Sequence, residues 1–183
     1  MGVLMGKMLQ LFWGGQQHKI VVIGLDNAGK TTLLYRLLLG QNVSTTTPTI
    51  GSNVEEITYK NLTFTMWDLG GQDSIRSSWS AYYQDASCII LVVDSSDKAR
   101  LSLAKDELHK MASHEETQKA SILIFANKQD LPESSSAATV SEALGLPSLR
   151  DRPWHLQGCS AKTGRGINDG LDWVVTQLVK PSS

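Results

Sequence analysis

The chain has 183 residues and a mass of 20.0 kDa, enough for one domain with a sizeable core and too little for two ordinary domains. Its 17 basic and 18 acidic side chains give a formal net charge of -1, so the sequence lacks the overall positive field of a dedicated nucleic-acid-binding protein. Hydrophobic residues make up 41% of the chain and charged residues 19%, a globular composition that excludes a disordered or fibrous protein.

Residues 1–16 are predicted to form an amphipathic helix ahead of a single domain that spans residues 17–180. The apolar side chains of this segment recur at near-helical spacing, at Leu4, Met5, Met8, Leu11 and Phe12. Such a stripe suits the interface of a membrane, and it equally suits a helix that packs on its own domain. Gly2 is the acceptor that N-myristoylation requires, although Gly6 stands where the common pattern has Ser or Thr.

Four apolar runs bounded by turn residues predict buried strands at residues 20–23, 89–93, 122–126 and 154–159. Helical patterns separate or follow these runs at Lys30–Leu39 and at residues 99–114, 136–144 and 167–179. Because strand and helix alternate, we expect an α/β fold whose mostly parallel sheet carries helices on both faces.

Residues 53–59 and 62–67 break this rhythm because no helix separates them. Leu62, Phe64 and Met66 alternate with threonines, and Asn61 suits a tight turn between the two runs. The pattern predicts a β-hairpin, which adds one antiparallel edge strand and brings the sheet to six strands.

A phosphate-binding loop is predicted directly after the first strand, where the sequence matches GxxxxGK[ST] in the required context of strand, loop and helix. Glycines allow successive backbone N–H groups to point at phosphate oxygens, and the start of the following helix adds a positive dipole. Lys30 is expected to reach the β- and γ-phosphates, and the Thr31 hydroxyl to ligate Mg²⁺. The predicted phosphate-binding residues of this loop are Gly24, Leu25, Asp26, Asn27, Ala28, Gly29, Lys30, Thr31 and Thr32.

Candidate residues for the metal and the reacting phosphate lie around the hairpin. Asp68 stands where a Walker B aspartate would hold the Mg²⁺ shell through water. The Gly71 amide is expected to bond a γ-phosphate oxygen, and the Gln72 side chain to orient water for in-line attack. Thr49, within the stretch TPTIG, is the candidate for a second hydroxyl ligand of Mg²⁺ on the γ-phosphate side, released when that phosphate leaves.

Two short elements predict recognition of guanine. In the first, NKQD, the Asp130 carboxylate can accept hydrogens from N1 and the exocyclic amine of guanine, donors that adenine lacks, so GTP is favoured over ATP. In the second, SAK, the Ala161 amide can meet guanine O6 and the Lys162 stem can cover the ring. Guanine contacts are therefore predicted at Asn127, Lys128, Asp130, Ser160, Ala161 and Lys162.

These motifs resemble the small GTPases of the Arf and Arf-like group over essentially the whole chain, and they are most like its fifth Arf-like subgroup. The residues that carry the resemblance read GLDNAGKTT, PTIG, WDLGGQ, NKQD and SAK in chain order. The resemblance implies the small-GTPase form of the P-loop NTPase fold, with GTP or GDP and Mg²⁺ bound to a monomer.

The resemblance further implies a molecular switch in Golgi or endosomal vesicle traffic. The GDP form would be cytoplasmic, and the GTP form would lie on the membrane through a myristoyl group on Gly2 and the N-terminal helix. An exchange factor, an activating protein and effectors would drive the cycle, and the hairpin would slide along the sheet when GTP binds. Ser52 replaces an aromatic residue that many Arf-like proteins carry beside Trp67 and Tyr82, so we expect a shallower effector patch.

Two other functions stay open from the residues alone. An autonomous P-loop triphosphatase or nucleotide kinase is disfavoured by the guanine-type element and by the lack of a lid-like arginine cluster. A scaffold locked to one nucleotide is disfavoured by the intact Lys30, Thr31, Thr49 and Gln72. No arginine is evidently placed to act in cis, since we expect Arg76 to face solvent or an effector, and we therefore predict slow hydrolysis that depends on an activating protein.

Overall fold

The computed structural model describes residues 17–39, 51–60 and 62–179 of the chain. The predicted N-terminal helix with Gly2, and the candidate metal ligand Thr49, lie outside these residues. Within the three described ranges, every helix is too short or too polar to cross a membrane.

Six strands form one mixed sheet. They are β1 (Gln17–Ile23), β2 (Ser52–Tyr59), β3 (Leu62–Leu69), β4 (Cys88–Asp94), β5 (Ser121–Asn127) and β6 (Trp154–Gly158). Their spatial order is β2-β3-β1-β4-β5-β6, with β2 and β3 antiparallel and all other neighbours parallel. The predicted hairpin is therefore confirmed, and its first strand forms the antiparallel edge of the sheet.

The helices of the described residues are α1 (Lys30–Leu39), α2 (Asp73–Arg76), α3 (Leu101–Ala112), α4 (Ala137–Ala143) and α5 (Ile167–Leu178). The four helical patterns found in the sequence are confirmed, and α1 has the predicted bounds. The helix predicted from residue 99 begins at Leu101, because a 3-10 turn at Lys98–Arg100 leads into it. The sequence did not reveal α2, since four residues are too few for a helical period to show.

The core consists of two layers, one on each face of the sheet. Alternating residues of β1 show the division, since Ile20 and Val22 belong to the layer of α1 and α5, whereas Val21 and Ile23 belong to the layer of α3 and α4. All four side chains are at most 1% exposed. Helices therefore cover both faces as predicted, and burial on both sides explains the continuous apolar runs of the parallel strands.

The tip of the hairpin is fastened to α5. The Tyr59 hydroxyl donates to Oδ1 of Asp172 at 2.5 Å, and Nζ of Lys60 pairs with the same oxygen at 2.7 Å. The Lys60 and Asp172 side chains are 56% and 43% exposed, so this attachment is polar and open to water.

The carboxyl ends of the five mutually parallel strands meet at one edge of the sheet. The loops that leave this edge carry residues 24–29, 70–72, 128–130 and 159–162, which hold most of the predicted functional residues. In open α/β sheets, ligands bind at this edge.

Candidate nucleotide-binding site

The phosphate-binding loop connects β1 to α1 and needs glycine at two positions. Gly24 has φ +149°, and a Cβ there would lie 2.3 Å from the carbonyl oxygen of Val92. Gly29 has φ +98°, and a Cβ there would lie 2.3 Å from Nδ2 of Asn127. Asn27 takes a left-handed φ of 61°, which asparagine tolerates better than most residues. Close neighbours and positive φ angles therefore fix a tight curl between the strand and the first turn of α1.

Lys30 opens α1, and its ammonium folds back across the loop. Nζ donates to the carbonyl oxygens of Gly24 and Leu25, each at 2.9 Å, and the residue is only 6% exposed. Burial lowers the pKa of Lys30 to about 8, although the carboxylates of Asp68 and Asp26 oppose the shift. An ammonium that lacks a full hydration shell gains strongly from an anionic partner, so the geometry fits the predicted role in phosphate binding.

Thr31 and Asp68 bring two oxygen donors together beside the loop. The Thr31 hydroxyl donates to Oδ2 of Asp68 at 3.0 Å, and Asp68 is fully buried near the end of β3. Hydroxyl and carboxylate oxygens are the ligand types that Mg²⁺ prefers, and proteins commonly supply only one or two of them beside water and substrate phosphates. The residues present therefore fit a magnesium site that a nucleotide would complete.

The loop after β3 lies directly on the phosphate-binding loop. The Asp26 amide donates to the carbonyl oxygen of Gly71 at 3.2 Å. A Cβ at Gly71 would lie 2.3–2.4 Å from backbone atoms of the phosphate-binding loop, so only glycine allows this approach. Gln72 follows as an exposed residue at the start of α2. The structure thus brings the predicted catalytic glutamine to the solvent-facing rim of the loop.

The expectation that Arg76 faces solvent or an effector is wrong. Its side chain is 9% exposed, and Nε pairs with Oε1 of Glu107 on α3 at 3.1 Å. Nη1 donates to the carbonyl oxygen of Gly71 at 3.3 Å, and Nη2 pairs with Asp73. A helix of four residues buries little surface of its own, so these contacts turn the arginine inward and fasten α2 to α3.

Asn127 ties the phosphate-binding loop to the guanine end of the site. Its Nδ2 donates to the carbonyl oxygen of Ala28 at 2.9 Å, and its Oδ1 accepts the Ala161 amide at 2.8 Å. The residue is 2% exposed at the end of β5. From the sequence we expected the Ala161 amide to meet guanine O6, whereas in the structure this amide donates to Asn127. Asn127 therefore organises the two loops from inside the molecule.

Asp130 is exposed, and a buried hydroxyl orients it. Ser160 is fully buried, and its Oγ donates to Oδ1 of Asp130 at 2.7 Å. Thr163 supports the hydroxyl from the other side by donating its amide to Ser160 Oγ at 3.1 Å. An exposed carboxylate in a fixed orientation can accept hydrogen bonds from the N1–H and the exocyclic amine of guanine together.

Lys128 is anchored to the end of β4. It takes a left-handed φ of 65°, and its Nζ pairs with Oδ2 of Asp94 at 2.6 Å. Burial would raise the pKa of Asp94, but hydrogen bonds from Lys128 and Ser96 outweigh burial and hold the pKa below its ordinary value. Lys162 lies exposed on the neighbouring loop. An ion pair therefore fixes the Lys128 side chain, whereas the Lys162 side chain is exposed.

Two arginines contact the site although the sequence did not indicate them as site residues. Arg36 of α1 donates through Nε to the carbonyl oxygen of Ala161 at 2.8 Å and through Nη2 to that of Lys162. Arg100, at the end of the turn before α3, donates to Asp26. These partners lie 125 and 74 residues away along the chain, so no local motif could have revealed them.

A cleft of about 770 Å³ opens at the opposite edge of the sheet, where its lining includes His18, Ser87, Ser121 and Pro153. These residues lie at the amino ends of the parallel strands, away from the phosphate-binding loop. The loops at the carboxyl edge, and not this cleft, therefore form the candidate site.

Comparison with known proteins agrees with this geometry. Residues 5–178 match the model of the ADP-ribosylation factor family. The chain belongs to this family. It is 50% identical over 178 residues to human ADP-ribosylation factor-like protein 5A, covering 97% of this chain and 98% of that protein. It is also 50% identical over 179 residues to ADP-ribosylation factor-like protein 5 of Caenorhabditis elegans, covering 97% of this chain and 100% of that protein.

A solved structure shares the fold of this Arf-family chain. The Arl6 BBS3 small GTPase from Trypanosoma brucei, with the bound nucleotide analogue GppNp, superposes with a TM-score of 0.84 at 32% sequence identity. The match covers 91% of this chain and 100% of that one. The chain is therefore a small GTPase of the Arf-like type, an enzyme that binds GTP and hydrolyses it to GDP and phosphate. Membership of the family also implies regulators and effectors in general.

Proposed function

We propose that this chain is a monomeric switch that is cytoplasmic with GDP and bound to Golgi or endosomal membranes with GTP, where it recruits effectors for vesicle traffic. One observation supports the switch above all others, the 3.2 Å contact between the Asp26 amide and the Gly71 carbonyl. The two loops pack so closely there that even one Cβ does not fit. A terminal phosphoryl group bound beside this contact must therefore share its space with the loop that leads into α2.

Different loops at the carboxyl edge of the sheet bind different parts of the nucleotide. Residues 24–32 bind the phosphates, and the buried ammonium of Lys30 gains the most electrostatic stabilisation from them. Thr31, Asp68 through water, and Thr49 would hold Mg²⁺, which would neutralise charge on the terminal phosphates. The Gly71 amide and the Gln72 side chain serve the γ-phosphate and the attacking water. The guanine ring is met by Asp130, Lys128 and Lys162, whereas Asn127, Ser160 and Ala161 support these residues from within the two loops.

Slow intrinsic hydrolysis follows from the state of the nearby arginines. Arg76 is paired with Glu107 at 3.1 Å, and Arg100 is paired with Asp26 at 2.8 Å. Charge that develops on the transferred phosphoryl group must then be met by an arginine from another protein, which is worth about 10³–10⁵ in rate. We therefore propose that an activating protein ends the GTP state and that an exchange factor restores it.

The effector patch is proposed at the hairpin edge of the sheet. The rings of Trp67 and Tyr82 lie 5.5 Å apart, and the Tyr82 hydroxyl bonds Oγ of Ser52 at 3.3 Å. Val54, on the same strand as Ser52, is 42% exposed. An aromatic pair beside an exposed apolar residue offers contact area to a partner, and Ser52 gives the patch a polar, shallow rim.

Membrane attachment is proposed for residues 1–16. A single myristoyl chain on Gly2 binds membranes only marginally, at roughly 10⁴ M⁻¹, so a second anchor is needed. The apolar stripe of the predicted helix supplies it. Neither weak anchor holds the protein on the membrane by itself, so withdrawal of one releases it. This arrangement suits a protein whose location depends on the bound nucleotide.

Nucleotide specificity tests the site. The parent protein should bind GTP and GDP in preference to ATP in calorimetry. Asp130→Asn replaces a carboxylate acceptor by an amide, so GTP affinity should fall at least about tenfold while the xanthine nucleotide, which carries a carbonyl at C2, gains. Glu133→Gln removes the same charge from an exposed residue of the same loop and should change no affinity. Preferred binding of ATP by the parent would overturn the proposed function.

Vesicle flotation tests the membrane part of the proposal separately. Protein that is N-myristoylated should float with liposomes when it is loaded with a non-hydrolysable GTP analogue and stay in solution when it is loaded with GDP. Gly2→Ala, which cannot be acylated, should remain in solution in both states. Equal flotation of the two nucleotide forms would exclude a nucleotide-dependent membrane switch.

A further inference from the structure

Asp26 is the residue at which the phosphate-binding loop, the loop after β3 and the turn before α3 meet. Arg100 donates from Nη1 to Oδ1 of Asp26 at 2.8 Å and from Nη2 to the Asp26 carbonyl oxygen at 3.1 Å. The Asp26 amide donates to the Gly71 carbonyl at 3.2 Å. The amide, the carbonyl and the carboxylate of Asp26 are thus all engaged, and the carboxylate is held in one direction.

Arg100 is itself oriented by a second acid. Its Nε donates to Oδ2 of Asp97 at 2.6 Å. A guanidinium presents its donors in a rigid planar fork, so the contact with Asp97 sets the plane in which the two terminal nitrogens reach Asp26. The Arg100 and Asp26 side chains are 32% and 37% exposed, which makes this a partly hydrated ion pair of moderate strength.

The carboxylate of Asp26 stands in a loop built to hold phosphate, where a negative charge is unfavourable unless it is paired. The same carboxylate raises the pKa of Lys30 against the effect of burial, so the two charges already interact. Without Arg100, the carboxylate would be free to turn toward Lys30 and toward the bound phosphates. Asp26 adjoins Gly71, whose amide is proposed to bond the γ-phosphate, so the repulsion would fall mainly on the terminal phosphoryl group.

We propose that Arg100 is a positioning residue that holds the Asp26 carboxylate away from the terminal phosphoryl group and thereby sets the relative affinity for GTP and GDP. This inference rests on the proposed function, since it requires that the phosphate-binding loop holds a guanine nucleotide. GDP lacks the group on which the freed carboxylate would act. Loss of Arg100 should therefore weaken the binding of the triphosphate more than that of the diphosphate.

Competition against a fluorescent GDP derivative tests the inference in three variants: Arg100→Gln, Asp26→Asn and the double variant. In Arg100→Gln, the Kd for a non-hydrolysable GTP analogue should rise about fivefold, the upper range for a partly exposed ion pair, and the Kd for GDP should rise less than about twofold. The double variant should restore the ratio of the two Kd values to within about twofold of the parent, because a neutral asparagine needs no counter-charge.

Two further variants make the result decisive. Arg150→Gln makes the same chemical change at an exposed arginine outside the site and should leave the ratio unchanged. Arg100→Lys keeps the charge without the planar fork, should give a smaller loss, and replaces Arg100→Gln in the comparison if that variant does not fold.

An unchanged ratio in Arg100→Gln would refute the inference. A loss that persists in the double variant would also refute it, because Arg100 would then act on the nucleotide itself or on the fold. Failure of the parent to bind either guanine nucleotide would instead refute the proposed function.

Discussion

Replacement of Asn127 by alanine removes the side chain that joins the phosphate-binding loop to the guanine end of the site. Asn127 is 2% exposed and makes bonds of 2.9 Å with the Ala28 carbonyl and 2.8 Å with the Ala161 amide. Each buried group left without a partner costs about 1–3 kcal/mol. We expect Asn127→Ala to lower the free energy of unfolding by about 3 kcal/mol, which for a domain of this size lowers Tm by roughly 6–12 °C.

The assay must separate stability from nucleotide affinity, because bound ligand raises Tm by mass action. Thermal unfolding of nucleotide-stripped protein gives the first quantity, and the release of a fluorescent GDP derivative gives the second. Release should be at least about fivefold faster, the equivalent of 1 kcal/mol.

Gln129→Ala is the matched control for Asn127→Ala. It removes one bond of 2.9 Å to the Ser135 carbonyl within the same motif and should cost at most about 1 kcal/mol. If Asn127→Ala is no less stable than Gln129→Ala and releases GDP at the parental rate, Asn127 does not join the two loops.

Three more outcomes are expected. Burial lowers the pKa of Lys30 to about 8, and bound phosphate should raise that pKa again, so the protein should take up a proton when nucleotide binds. Calorimetry in buffers of different ionisation enthalpy should find uptake of close to one proton near pH 9 and about a tenth of a proton near pH 7. Gln72→Leu should slow single-turnover hydrolysis by about 100-fold or more with an activating protein present, and a parental rate would remove Gln72 from catalysis. Arg152, 7% exposed, donates to the carbonyls of Ala112 and Thr117 at 2.7 Å each, so Arg152→Met should cost about 2 kcal/mol in urea unfolding while GDP affinity stays unchanged.

The order of strands and motifs was predictable because it depends on short-range patterns. Buried parallel strands appear as apolar runs, and their carboxyl ends share one edge, so Lys30, Thr31 and Asp68 had to lie near one another. The hairpin was predictable from the alternation of Leu62, Phe64 and Met66. These features need no knowledge of distant contacts.

Side-chain partners were not predictable, because tertiary packing decides them. Arg76 faces inward since Glu107 on α3 lies within 3.1 Å of it, and nothing near either residue in the sequence indicates that pair. The same holds for Arg36 and for the Ala161 amide, whose partner is Asn127. Residue types identified the chemistry of the site, and only the folded arrangement shows which groups hold the others in place.

The attachment of the hairpin tip to α5 has a consequence for movement. Tyr59 and Lys60 contact Asp172 through polar interactions that are already accessible to water, so breaking them exposes little apolar surface. Dissolved ions weaken such pairs. Movement of the hairpin therefore requires that only these weak polar contacts break first, and a higher ionic strength makes them easier to break.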